Sequence, residues 1–108
     1  MDSVTSLKLS NNRTKRGWEQ LRPLGELDLS YCELTELPEA LMDMENMISL
    51  DLGGNPIERG WERLQPLREL RELDLISCEI TELPAALASM ESVTSLNLGL
   101  NPRSTFTR

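Results

Sequence analysis

Two cysteines are the residues in this 108-residue chain whose chemistry asks for an explanation first. Cys32 lies in ELDLSYCELTELP, Glu26 to Pro38, and Cys78 lies in ELDLISCEITELP, Glu72 to Pro84. The two stretches agree at ten of thirteen positions and stand 46 residues apart. A disulfide, a metal site, a thiol nucleophile and an inert packing role are the alternatives. The chain has no histidine, which removes the commonest metal ligand and the usual general base together. Zinc would then need further ligands, and the chain has no third cysteine to supply one.

The elements that carry the cysteines recur. VTSLKLSNN, LGELDLSYC, MISLDLGGN, LRELDLISC and VTSLNLGLN align without gaps as L-x-x-L-x-L-x-x-(N/C). Their ninth positions are Asn12, Cys32, Asn55, Cys78 and Asn101, at steps of 20, 23, 23 and 23 residues. Paired leucines alternate with polar residues in each segment, the period of a strand with one buried face. Between strands, Ile57, Trp61, Leu64, Leu67 and Leu70, and then Ile80, Leu83, Leu87, Met90 and Val93, fall at helical spacings. Pro38 and Pro84 suit the first turn of a helix. Coils ending on asparagine alternate with coils ending on cysteine, so the duplicated unit is a pair. The first coil is three residues short near Gly25, where a local change of curvature is expected.

This pattern resembles the leucine-rich repeat family from the first residues nearly to the last. The resemblance implies an α/β solenoid, a short right-handed arc of about five coils. A parallel sheet would line the concave side, with short helices or 3-10 turns outside. One domain over 1–108 is expected, with coils at about 4–23, 24–46, 47–69 and 70–92 and an incomplete one at 93–108.

In such a coil the ninth position, Asn12, Cys32, Asn55, Cys78 or Asn101, points inward. An asparagine there can satisfy backbone groups of its own and the next coil, and cysteine fills the slot with less bonding. Neighbouring strands lie about 4.8 Å apart, so Cys32 and Cys78 should be about 10 Å apart. A disulfide needs less than roughly 7 Å. The cysteines are therefore expected to be structural. Asn12-Arg13-Thr14 fits a glycosylation acceptor, but a ladder residue should be unreachable. Free cysteines and an N-terminus without a secretory pattern point to a reducing, cytoplasmic setting.

Function then falls to exposed strand positions. The predicted binding face contains Lys8, Glu26, Asp28, Tyr31, Ser49, Asp51, Glu72, Asp74, Ile76 and Asn97. Its middle is acidic, and the chain carries a net charge of −7. That balance argues against duplex nucleic acid and favours a basic protein or peptide. A solvated acidic face without a partner is the plainer alternative. A cation on Asp28, Asp51 and Asp74 is disfavoured, because a straight column offers too few converging oxygens. Gly53, Gly54 and Gly99 are expected to leave the centre of the face shallow. Trp18 and Trp61, each after a glycine, are expected to pack at the entry to the helix. No apolar run approaches the length of a membrane span.

The expectation is a non-catalytic interaction module without cofactor or metal. Its rival is a self-assembling, engineered or truncated unit that dimerises through uncapped ends, exposing Leu7, Leu9, Leu96, Leu98 and Phe106.

Overall fold

The computed structural model describes the backbone of residues 6–8 and residues 25–81 and 84–101. Within them five parallel strands form one sheet: β1 (Ser6–Lys8), β2 (Glu26–Asp28), β3 (Ser49–Asp51), β4 (Glu72–Asp74) and β5 (Ser95–Asn97), in chain order. The register is the one set by the leucine spacing: Leu7, Leu27, Leu50, Leu73 and Leu96 stand in one row. Pairing continues past β2, β3 and β4. Leu52 N donates to Asp74 O at 2.9 Å and Gly54 N to Ile76 O at 2.8 Å. At the strand entry one carbonyl serves two donors, as Ile48 O accepts from Arg71 N and Glu72 N.

The outer side is built mainly from 3-10 turns, Glu39–Asp43 and Trp61–Leu64, with one α-helical turn, α1 (Ala85–Ala88). The reason is in the spacing. Leu64, Leu67 and Leu70 recur every third residue, and a 3-10 turn repeats every three. Leu67 N donates to Leu64 O and Leu70 N to Leu67 O. Leu41, Met44 and Met47 climb the preceding coil by the same step. Each apolar residue in this staircase is buried, so the hydrogen bond and the inward side chain share a period. Pro38 and Pro84 sit one place earlier than a first-turn position, as extended cap residues. Their carbonyls accept from Leu41 N and Leu87 N.

One core runs the length of the described coils. It includes Leu27, Leu29, Leu50, Leu52, Leu73 and Leu75 from the sheet and Ile57, Leu64, Leu67 and Leu70 from outside. Trp61 is half-buried against it, as the sequence predicts. Gly60 precedes Trp61 with φ of 92°, and a β-carbon there would stand 3.0 Å from Leu37 N. Glycine is thus required where two coils meet. Beside it, Arg63 donates to Glu36 Oε2 at 3.0 Å and to the Leu37 carbonyl, and Arg59 Nε donates to Glu36 Oε1 at 3.2 Å. The hydrogen bond from Arg63, with Arg59 adding to it, holds the Glu36 carboxyl below the usual range.

The inward ninth position does the bonding expected of it, in a different direction. Asn55 is fully buried. Its Oδ1 accepts from Cys32 N at 2.8 Å and Leu34 N at 3.0 Å. Its Nδ2 donates to Leu29 O at 2.9 Å and Leu52 O at 2.8 Å. These groups belong to its own and the preceding coil, not the next. The carbonyls and amides left over by the preceding turn point forward, toward the asparagine that follows. Asn101 repeats the set with Cys78 N, Ile80 N, Leu75 O and Leu98 O. The positions Leu9, Asn12, Trp18 and Phe106, the shortened first coil and the side chains of Leu7 and Lys8 lie outside the described residues.

Removing that amide takes a partner from four backbone groups at once, of which Leu52 O keeps the Cys78 thiol. Asn55→Ala should lower unfolding free energy by about 3 kcal/mol or more, since each buried unpaired group costs 1–3. Cys78→Ala should cost about 1–2 kcal/mol, a small cavity and one weak bond. Urea denaturation of both variants checks the order, and equal losses would refute the ladder's importance.

Candidate functional site

The exposed face of the sheet is built by the residues between the leucines. Glu26, Ser49, Glu72 and Ser95 form one row, and Asp28, Asp51, Asp74 and Asn97 the next. Ser49, Asp51, Glu72, Asp74, Ser95 and Asn97 line one shallow depression across β3, β4 and β5. The structure therefore brings most of the predicted face together.

The aspartate row has a second task that the sequence reading missed. Asp28 Oδ1 accepts from Ser30 N at 2.9 Å and Ser30 Oγ at 2.7 Å. Asp51 Oδ1 accepts from Gly53 N at 2.9 Å, and Asp74 Oδ1 from Ile76 N at 3.0 Å. Asn97 Oδ1 makes the same bond to Gly99 N at 2.9 Å. Each is a side chain closing a turn onto the backbone two residues on. The row bends the chain out of the strand, and an amide does this as well as a carboxylate. The signal was present: asparagine stands in the aspartate column at residue 97.

The turn that follows puts the eighth position in the left-handed region. Tyr31, Gly54, Ser77 and Leu100 have φ of 56°, 75°, 57° and 56°. Glycine in that column hinted at it. Gly53, Gly54 and Gly99 are not bare, because neighbouring side chains lie over or beside them. Tyr31 rests on Gly54, where a β-carbon would overlap its ring. Ile76 covers Gly53, whose β-carbon would meet Ile76 Cγ2 at 2.8 Å, and flanks Gly99. The glycines are seats for Tyr31 and Ile76, which stand at two of the three positions that differ between the cysteine-type coils.

Cys32 and Cys78 are both buried and unbonded to each other. Cys78 Sγ donates to Leu52 O at 3.1 Å, the same direction that Nδ2 of asparagine takes. Burial pushes its thiol pKa up, opposed by the backbone N–H groups of Asn55 and Gly54, with Asp74 and Asp51 adding negative potential. A thiol held protonated and buried is a poor nucleophile. Among the described residues no three histidine, cysteine or carboxylate side chains gather as a metal site. No helix among them is long and apolar enough to cross a membrane.

The sequence profile of the Leucine Rich Repeat family matches residues 23–44 and 69–90. Those are the two cysteine-type coils, with the ladder geometry intact in both. The chain is a leucine-rich repeat protein. Solved structures agree with its solenoid. An internalin C2 from Listeria monocytogenes is 28% identical over 95% of this chain and 45% of its own, with a TM-score of 0.79. An internalin F from the same organism is 30% identical over 93% of this chain and 29% of its own, with a TM-score of 0.75. A leucine-rich repeat protein of Leptospira interrogans is 28% identical over 80% and 22%, with a TM-score of 0.69. This leucine-rich repeat chain thus spans less than half the length of these solved relatives. No curated protein sequence matches it. Leucine-rich repeats are typically protein-interaction modules, and their extended concave surface is the reason.

The turn bonds separate charge from geometry on this face. Asp74→Asn should change stability by less than about 0.5 kcal/mol, because the amide oxygen can keep the bond to Ile76 N. Asp74→Ala should cost about 1 kcal/mol, the net worth of one hydrogen bond. Thermal or urea unfolding of the two variants reads the difference. Equal destabilisation would show that the carboxylate acts through its charge.

Proposed function

We propose that this chain is a non-catalytic protein-binding module that docks a basic protein or peptide across the exposed face of β2 to β5, without cofactor or metal. The observation that carries the reading is the alignment of Glu26, Asp28, Asp51, Glu72 and Asp74 on one face in strict register. Like charges at strand spacing repel one another. A cationic partner relieves that repulsion, and the field of the row accelerates its approach. Ser49, Ser95 and Asn97 add uncharged hydrogen-bonding groups beside the acids. The buried thiols, which form no disulfide with each other, support a reducing, intracellular setting for the module.

The experiment neutralises the row without breaking its turns. Glu26→Gln, Asp51→Asn, Glu72→Gln and Asp74→Asn are combined, and binding of a lysine-serine octapeptide is measured at low salt. Affinity should fall about tenfold or more, and wild-type affinity should fall as salt screens the face. Unchanged affinity would place the contact elsewhere.

A second reading rests on one exposure. Leu96 in β5 is 40% exposed, whereas Leu50 and Leu73 in the same row are 1% and 2% exposed. Pairing of two copies over β5 would cover it. Light scattering at micromolar concentration should then give a dimer that Leu96→Glu dissociates, and a monomeric wild-type chain removes the reading.

A further inference from the structure

Beside the sheet, on the rim formed by the turns, the first cysteine-type coil carries a feature that the second lacks. Tyr31 is 55% exposed. It is nevertheless held in place. Its N donates to Gly53 O at 2.8 Å, its φ is 56°, and its ring lies on Gly54. The ring is thus presented as a fixed wall rather than a free side chain. Two residues on, Glu33 is also left-handed, at φ 61°, and exposed. Its position is fixed from both sides, because Cys32 N and Leu34 N both donate to Asn55 Oδ1. Tyr31, Glu33, Thr35, Gly54 and Pro56 line one shallow cleft. None of the acids in the aspartate row is part of that lining.

We propose that this cleft receives an arginine side chain of a partner protein, its guanidinium stacked on the Tyr31 ring and donating to the Glu33 carboxylate. The cleft offers an aromatic face, a carboxylate and a hydroxyl, and no lining residue is basic. A guanidinium answers all three features. It is planar and stacks on aromatic faces, it is weakly hydrated for a cation, and it presents a fork of donors to a carboxylate. A lysine ammonium offers only a point charge. The cleft is also specific to one place. In the second cysteine-type coil Ser77 stands where Tyr31 does and Leu100 where Gly54 does, although Glu79 matches Glu33 in both residue type and φ. The proposal rests on the reading of the chain as a protein-binding module, but it places this contact on the rim and not on the acidic sheet.

Tyr31 is the only tyrosine, so its ring resonances are unambiguous by NMR. The full chain is titrated with the capped tripeptide Gly-Arg-Gly, with its neutral citrulline counterpart, and with Gly-Lys-Gly. The arginine peptide should shift the ring signals saturably, the lysine peptide more weakly, and the citrulline peptide should leave them in place. Glu33→Gln should weaken the arginine affinity about threefold or more. Tyr31→Ser installs the residue that the equivalent left-handed position already carries, so the fold should survive. It should abolish the arginine response at the Glu33 backbone amide. The variant with the neutralised sheet should keep the ring shift, even if it has lost the basic octapeptide. An equal response to citrulline, an undiminished affinity in Glu33→Gln, or loss of the shift in the neutralised-sheet variant would overturn the proposal.

Discussion

The side-chain amide at the ninth position is the interaction on which the rest of this solenoid depends. A three-residue strand that turns sharply out of a sheet leaves backbone donors and acceptors inside the coil, away from water. Buried groups of that kind must be paired. Asn55 answers four of them with one planar group, two donors reaching its oxygen and two carbonyls receiving its nitrogen. Cysteine cannot do this, and the alternation explains how the chain tolerates it. The coil preceding Cys78 makes fewer demands. Its tenth residue is Pro56, which has no N–H, and Ile57 N bonds to the Asn55 carbonyl within its own turn. Cys78 then needs only to donate to Leu52 O and to lie near the Asn55 N–H. In the cysteine-type coils the tenth residue is Glu33 or Glu79, left-handed, and the amides on either side of it converge on the next asparagine. Each coil type is shaped to leave what the other can accept.

That alternation divides the labour on the exposed face as well. The asparagine-type coils contribute mainly small residues there, Ser49, Gly53 and Gly54, then Ser95 and Gly99, with the exposed Leu100 the exception. The cysteine-type coils contribute Glu26, Tyr31 and Glu33, then Glu72, Ile76 and Glu79. The large side chains of one coil lie on the glycines of its neighbours, as Tyr31 does on Gly54 and Ile76 on Gly53. These large exposed residues and the glycines beneath them therefore come from adjacent coils of opposite type. Only the aspartate row is common to both, and its common use is to close the turn.

The parts of this structure that were legible in the sequence are those governed by a discrete period. The register of Leu27, Leu50, Leu73 and Leu96, the inward ninth position and the absence of a disulfide between Cys32 and Cys78 all follow from a gapless alignment, because a slip of one residue would turn every leucine outward. What was not legible depends on backbone angle. Tyr31, Ser77 and Leu100 are left-handed without being glycine, and no propensity announces that. That the asparagine reaches back to the preceding coil depends on which way that coil's turn aims its free groups. The spacing of three in Leu64, Leu67 and Leu70 carried the 3-10 geometry openly, but a period of three and a period of 3.6 differ little over three turns.

The same dependence on angle bears on how the exposed face can change. An aspartate in the second row can become asparagine, as residue 97 shows, because the bond survives the loss of charge. It cannot become lysine without freeing the amide two residues on. Glu26 and Glu72 are in a different position. They are exposed, and the closing bonds of the turns come from the aspartates beside them. Charge on this face is therefore adjustable at the first row and constrained at the second. Tyr31 and Ile76 are constrained in another way, since each requires glycine in the neighbouring coil. A change in the charge of this face would come most easily through the glutamates, and a change at Tyr31 would free Gly54 to vary with it.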